Sequence, residues 1–103
     1  MLHSWDLSPQ EAIALQKKLA SRVILKPLPE EITVVAGADV GYSRHHDRAV
    51  AALATYTYPG LELRELVRFQ GTFSYPYLPG LLSFREIPLL LRAFERLREE
   101  PDV

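Results

Sequence analysis

The chain has no cysteine among its 103 residues. Disulfides and thiolate metal sites are therefore excluded, and a reducing cytoplasm is compatible with the composition. It also lacks an excess of either charge: 12 Lys and Arg stand against 13 Asp and Glu, a net charge of -1. A nucleic-acid binder usually carries a basic footprint, so any such binding here needs a local patch. No apolar run approaches the roughly 20 residues that span a bilayer. The opening MLHSWDLSPQEA lacks the basic-then-apolar layout of a signal peptide. A cytoplasmic location without membrane contact is the expectation. No P-loop, G-x-S-x-G motif, zinc spacing, internal repeat or low-complexity tract occurs, and Gly37, Gly41 and Gly80 make no dinucleotide fingerprint. What remains, 48% hydrophobic and 24% charged residues, fits one small globular domain.

Ser8-Pro9-Gln10-Glu11 reads as an N-cap, a first-turn proline and a capping box. Ile13, Leu15, Leu19 and Ala20 then predict an amphipathic helix over about Pro9 to Val23, broken by Pro27 and Pro29. Ile32 to Tyr42 is β-branched and nearly continuously apolar, which predicts a central strand covered on both faces. Ser43 to Arg48, with His45, His46 and Asp47, reads as a polar hairpin loop. Ala49 to Tyr58 is a second strand, Tyr58-Pro59-Gly60 a turn, and Glu62 to Phe69 a third strand with one wetter face and Glu65 as the exception. Short connections predict an antiparallel meander. After the loop Gly71 to Gly80, residues Leu81, Leu82, Phe84, Ile87, Leu90, Leu91, Phe94 and Leu97 predict one broad apolar helix face. Pro88 either kinks that helix or starts its longer segment.

Asp39 is the sharpest candidate for chemistry. It ends a strand otherwise built of Val, Ala and Gly, and burying an unpaired carboxylate is costly. It either caps the hairpin loop or pairs with Arg48, or it is a metal ligand. Glu86 either pairs with Arg85 or Arg92, or joins Asp39. Two carboxylates brought together repel unless a cation sits between them, which suits Mg²⁺ or Mn²⁺. Tyr75 and Tyr77 are either packing aromatics or, sitting among prolines in a loop, exposed rings suited to base stacking or wedging into a duplex. His45 and His46 are either solvated loop residues or metal donors.

Together, "VAGADVGY", "YPGLEL" and "YPYLPGLLSFRE" closely resemble the endonuclease V family, and the N-terminal helix and the closing "FERLREEPDV" are similar to theirs. The resemblance covers essentially the whole chain. It implies an α/β, partial ribonuclease H-like fold, a three-stranded antiparallel meander flanked by two helices. It implies hydrolysis of a phosphodiester 3′ to a deaminated purine, such as deoxyinosine or inosine, in DNA or RNA, assisted by Mg²⁺ with Mn²⁺ as a substitute. It makes Asp39 and Glu86 the metal and catalytic carboxylates. It makes Tyr77 a wedge held by Pro76, Leu78, Pro79 and Gly80, and Gly80, Leu81 and Leu82 part of a base pocket. Unstacking a base costs a few kcal/mol, and a proline-stiffened loop loses little entropy in delivering a ring.

In the family the chain continues beyond "PDV" with a strand ending in a third metal aspartate, then a histidine and a lysine that serve the reaction. The expectation is therefore a single truncated domain over residues 1–103, with Asp102 preceding the next strand rather than replacing its aspartate. Such a chain is expected to be inactive alone. A C-terminal half chain or a second copy would cover the exposed sheet edge. The rival expectation is a non-catalytic nucleic-acid-binding or self-associating fragment.

Overall fold

The computed structural model describes residues 3–43 and 48–103. Ser8 starts helix α1 (Pro9–Ala20) with a reciprocal capping box: its hydroxyl accepts the Glu11 N–H, and the Glu11 carboxylate accepts the Ser8 N–H, each at 3.2 Å. The helix ends three residues earlier than its pattern predicts. The Ser21 hydroxyl turns back to donate to the Lys18 carbonyl at 2.6 Å, and the β-branched Val23 and Ile24 follow in an exposed, irregular run. Three strands come next, β1 (Val34–Tyr42), β2 (Arg48–Thr57) and β3 (Leu63–Thr72), then helix α2 (Leu82–Phe94). The turn between β2 and β3 contains a cis Tyr58–Pro59 bond and Leu61 at φ +57°. The predicted loop with His45, His46 and Asp47 lies outside the described residues.

The sheet is an antiparallel meander in the order β1-β2-β3. Its register aligns Val40 with Ala51 and Ala51 with Phe69, one row beside Asp39, Ala52 and Arg68. Side chains alternate between faces, so the first row faces α2 and the second faces away. Val40, Ala49, Ala51, Leu53, Leu89 and Ala93 form the sheet–helix core, with Val67, Phe69 and Phe73 against it. A second cluster joins Ala12 of α1 to Tyr75, Leu81 and Phe84, with Trp5 and Leu7 around it. α1 thus packs on the proline-rich loop and the start of α2.

The prediction that β1 is central and covered on both faces does not hold among the described residues. β1 is an edge strand, and Gly37, Ala38 and Asp39 are exposed. A continuous apolar run reports what a strand can bury, and here only one face has a helix on it. The Cα radius of gyration, 15.5 Å, accordingly exceeds the roughly 13 Å of a closed domain of about this length. The outer edge of β1 is nonetheless occupied at its start. Asp102 donates its N–H to the Val34 carbonyl at 2.9 Å, and Val103 accepts from the Ala36 N–H at 2.8 Å. The Asp102 carboxylate also accepts from the N–H groups of Thr33 and Val34. These backbone donors hold its carboxyl below the ordinary value.

α2 differs from its predicted face. Phe84, Leu89 and Ala93 are the buried residues, whereas Leu91 and Phe94 are exposed and line a groove of about 560 Å³ with Trp5 and Pro88. The helix runs through Pro88 without a break. The Glu65 exception in β3 is explained by its partners: its carboxylate points to the α2 side and accepts from the N–H groups of Arg98 and Glu99 at 3.0 to 3.2 Å.

Gly71 lets α2 lie this close. A Cβ there would meet the Phe69 ring at 2.8 Å and Leu89 at 3.0 Å. Gly71→Ala is expected to overpack the interface and destabilise by about 1–3 kcal/mol, read as a lowered midpoint in a urea melt.

Candidate functional site

Asp39 sits near the end of β1, exposed. No ion pair with Arg48 forms among the described residues, and the hairpin loop that it is expected to cap lies largely outside them. Its Oδ1 accepts the N–H of Val40 at 2.9 Å. The even-numbered residues of β1 turn their backbone groups to the outer edge, as Val34 and Ala36 do toward residues 102 and 103. The Asp39 carboxylate therefore curls round to the free edge of the sheet, occupying a donor that a neighbouring strand would use.

Glu86 reaches the same end of β1 from the other face. It lies in the second turn of α2, half-buried, and its Oε2 accepts the hydroxyl of Tyr42. Neither Arg85 nor Arg92 pairs with it among the described residues, where the one ion pair is Arg64–Glu99 at 2.6 Å. The two acids thus lie on opposite sides of the sheet plane near the end of β1, Asp39 bonded to the Val40 amide and Glu86 to the Tyr42 hydroxyl. No group of three or more His, Asp or Glu residues suited to a metal occurs among the described residues.

Tyr42 and Phe73 are the neighbours that the sequence did not single out. Their rings stack with centroids 4.9 Å apart, and the Arg85 guanidinium lies 4.1 Å from the Phe73 centroid. Arg85 also donates to the Tyr75 carbonyl at 3.3 Å. This ties the start of the proline-rich loop to α2 and fixes the phenol that holds Glu86. Burial pushes the Tyr42 phenol up to about 12, helped by the hydrogen bond from Tyr42 to Glu86, by the Glu86 charge and by nearby Tyr77, with Arg85 opposing. A raised folded-state value stabilises the fold fully below about pH 10, the ordinary tyrosine value, and that contribution fades as pH rises towards 12. The expected outcome is one tyrosine with a spectrophotometric midpoint near 12 that falls in Glu86→Gln.

The loop separates its two tyrosines. Tyr75 is 7% exposed, packed against Phe84, and its hydroxyl donates to the Leu7 carbonyl at 3.0 Å. Of the two readings, packing holds for Tyr75, which fills the cluster beneath α1. Tyr77 is 67% exposed, flanked by the exposed Pro76 and Pro79 and the half-buried Leu78. Gly80 takes φ +82°, a left-handed turn that glycine adopts without strain, and its carbonyl accepts from Gln16 of α1 at 3.1 Å. Leu81 is buried in the second cluster, while Leu82 is exposed. Of the three residues assigned to a base pocket, Gly80 and Leu82 therefore present surface, and Leu81 supports them from beneath.

A family model described as Endonuclease V matches residues 17–103. A curated endonuclease V from Dehalococcoides mccartyi strain BAV1 is 49% identical over 102 residues, covering 99% of this chain and 46% of the relative. One from Gloeobacter violaceus is 40% identical, covering 99% and 42%. Among solved structures, endonuclease V from Streptomyces avermitilis superposes with a TM-score of 0.86 at 40% identity, covering 96% of this chain and 44% of that one. Endonuclease V from Ciona intestinalis, in complex with a 24mer DNA containing an inosine followed by a ribo-adenosine, gives 0.74 at 26% identity, covering 84% and 38%. The chain spans less than half the length of these relatives.

Proposed function

The chain belongs to the endonuclease V family, and from that membership we propose that it supplies the strand-opening loop and two of the carboxylates of a nuclease that cuts 3′ to a deaminated purine. The observation that carries this reading is Tyr77. It is an exposed ring on a proline-stiffened loop, close enough to Tyr42, the partner of Glu86, to act on its titration. A ring so placed can enter a base step, while Pro76 and Pro79 limit the entropy lost in holding it there. The altered base, unstacked at a cost of a few kcal/mol, then has Gly80 and Leu82 as its nearest loop surface. The inosine-containing DNA bound by the Ciona relative supports deoxyinosine or inosine as the substrate class.

The donor set fits a hard divalent cation in kind. Asp39 and Glu86 each carry one hydrogen-bonded oxygen, and the second oxygen of each has no protein partner among the described residues. Mg²⁺ commonly keeps several waters and takes one or two carboxylates, so these two residues would hold Mg²⁺, or Mn²⁺ in its place. Such an ion activates a water and neutralises charge on the leaving oxygen. On this reading cleavage also draws on the stretch that the longer relatives carry beyond the matched region, and the β1 edge beyond Ala36 is where a further strand, from a C-terminal half chain or the same chain, would pair.

A non-catalytic nucleic-acid-binding fragment, alone or as a second-copy dimer along that edge, is the rival reading, favoured by the absence of a three-ligand cluster among the described residues. A nicking assay on a deoxyinosine duplex separates the two. Cleavage on adding the C-terminal portion of a relative supports the nuclease, and none with any such portion supports the binder. In the assembled enzyme, Tyr77→Ala is expected to reduce the preference for inosine over adenine at least tenfold, the equivalent of about 1.4 kcal/mol of differential binding. An unchanged preference removes the wedge.

A further inference from the structure

We infer that the groove between β3 and α2, on the far side of the loop from β1, is a phosphate-binding track for the backbone of the nucleic acid that Tyr77 engages. The groove encloses about 430 Å³ and is lined by Phe69, Gly71, Thr72, Ser74, Arg85 and Arg92, with Pro88 and Leu89 as its floor. Residues 85, 88, 89 and 92 fall on one stripe of α2, which is why a single helix face forms one whole wall. Among the described residues no carboxylate lines it, although the chain as a whole is slightly acidic.

Arg92 is the cation of this groove most open to an anion, whereas Arg85 already donates to the Tyr75 carbonyl. Arg92 makes no ion pair among the described residues, and its guanidinium rests 5.2 Å from the Phe69 centroid. Arg96 flanks the same ring at 5.4 Å and donates to the Arg68 carbonyl. The Arg85 Nε is buried and has no hydrogen-bond partner among the described residues. Ser74, exposed just past the end of β3, adds a hydroxyl to the lining beside the two arginines. A planar guanidinium beside a hydroxyl can donate to the oxygens of a phosphate.

Position selects a nucleic-acid backbone over a free anion. Thr72 and Ser74 bracket Phe73, which stacks on Tyr42, and the next four residues lead to Tyr77. A strand parted at Tyr77 would therefore lay its sugar-phosphate chain along this groove. The inference rests on the nucleic-acid part of the function proposed above but not on inosine recognition or cleavage.

The test is fluorescence anisotropy of the 103-residue chain with a labelled, inosine-free 24-mer across a salt series. Arg92→Ala is expected to weaken binding and to reduce the slope of log affinity against log salt by about 0.7–0.9, the contribution of one phosphate contact. Arg92→Lys should keep the slope, and Arg64→Ala, which removes an arginine already paired with Glu99, should leave slope and affinity unchanged. Amide shifts of Thr72 and Ser74 on adding the 24-mer give a second reading. An unchanged slope in Arg92→Ala, an equal loss in Arg64→Ala, or no salt-dependent binding by the unsubstituted chain would each overturn the inference. Failure of inosine discrimination alone would count against the wedge and leave the track standing.

Discussion

Asparagine in place of Asp39 should lower inosine-directed cleavage by about two to four orders of magnitude in the assembled enzyme, in single-turnover assays at saturating Mg²⁺. Metal assistance supplies several kcal/mol of transition-state charge stabilisation, and each 1.4 kcal/mol is about tenfold in rate. The fold should not suffer. Asp39 is exposed and its one side-chain hydrogen bond among the described residues is from the adjacent Val40 amide, a bond that the asparagine side-chain oxygen can also accept. The melting temperature should therefore hold. Loss of folding together with activity would move Asp39 from chemistry to structure.

Phe84→Ala should have the largest effect on stability. Phe84 is buried where α1, the proline-rich loop and α2 meet. It packs edge-on against Trp5 at 5.4 Å and tilted against Tyr75 at 5.6 Å. A phenylalanine truncated in such a core costs about 3–5 kcal/mol, a large share of the roughly 5–15 kcal/mol that a domain carries. The midpoint should fall by about 12 °C or more, at roughly 4 °C or more per kcal/mol for a chain this long. Near-UV circular dichroism should lose the Trp5 and Tyr75 signals together. A drop of only a few degrees would mean that this cluster does not hold the loop in place.

Local chemistry was the most legible part of the sequence. The Ser8–Glu11 capping box, the Tyr58-Pro59-Gly60 turn and the alternation in β3 each depend on residues a few positions apart, and each formed as its pattern predicts. The α/β meander followed from them. What depended on distant partners was hidden. β1 reads as central because its composition permits burial on both faces, yet only the row with Val40 meets a helix. The α2 pattern marks a wide apolar face, but the helix turns Phe84, Leu89 and Ala93 inward and leaves Leu91 and Phe94 out. Two tyrosines in one proline-rich loop look alike until Leu7 takes the hydroxyl of one of them.

The site was legible as residue types rather than as an arrangement. Asp39 and Glu86 stand out as acids in apolar surroundings. Nothing in the spacing shows that Asp39 folds back onto the Val40 amide, or that Tyr42 bonds to Glu86 across 44 positions. Tyr42 left one usable sign, an aromatic with a hydroxyl ending a strand of small residues three positions after the candidate ligand. Arg85 reads as a partner for Glu86 by adjacency, but side chains one apart on a helix do not face each other, and it packs on Phe73 instead.

The central claim is that Asp39 and Glu86, on opposite sides of the sheet plane near the end of β1, share one divalent ion beside the Tyr77 loop. Electron paramagnetic resonance of Mn²⁺ titrated into the 103-residue chain tests it most directly. The account predicts one bound ion in the unsubstituted chain, lost in Asp39→Asn and equally in Glu86→Gln, and retained in Tyr77→Ala. Binding that survives either carboxylate substitution would contradict it.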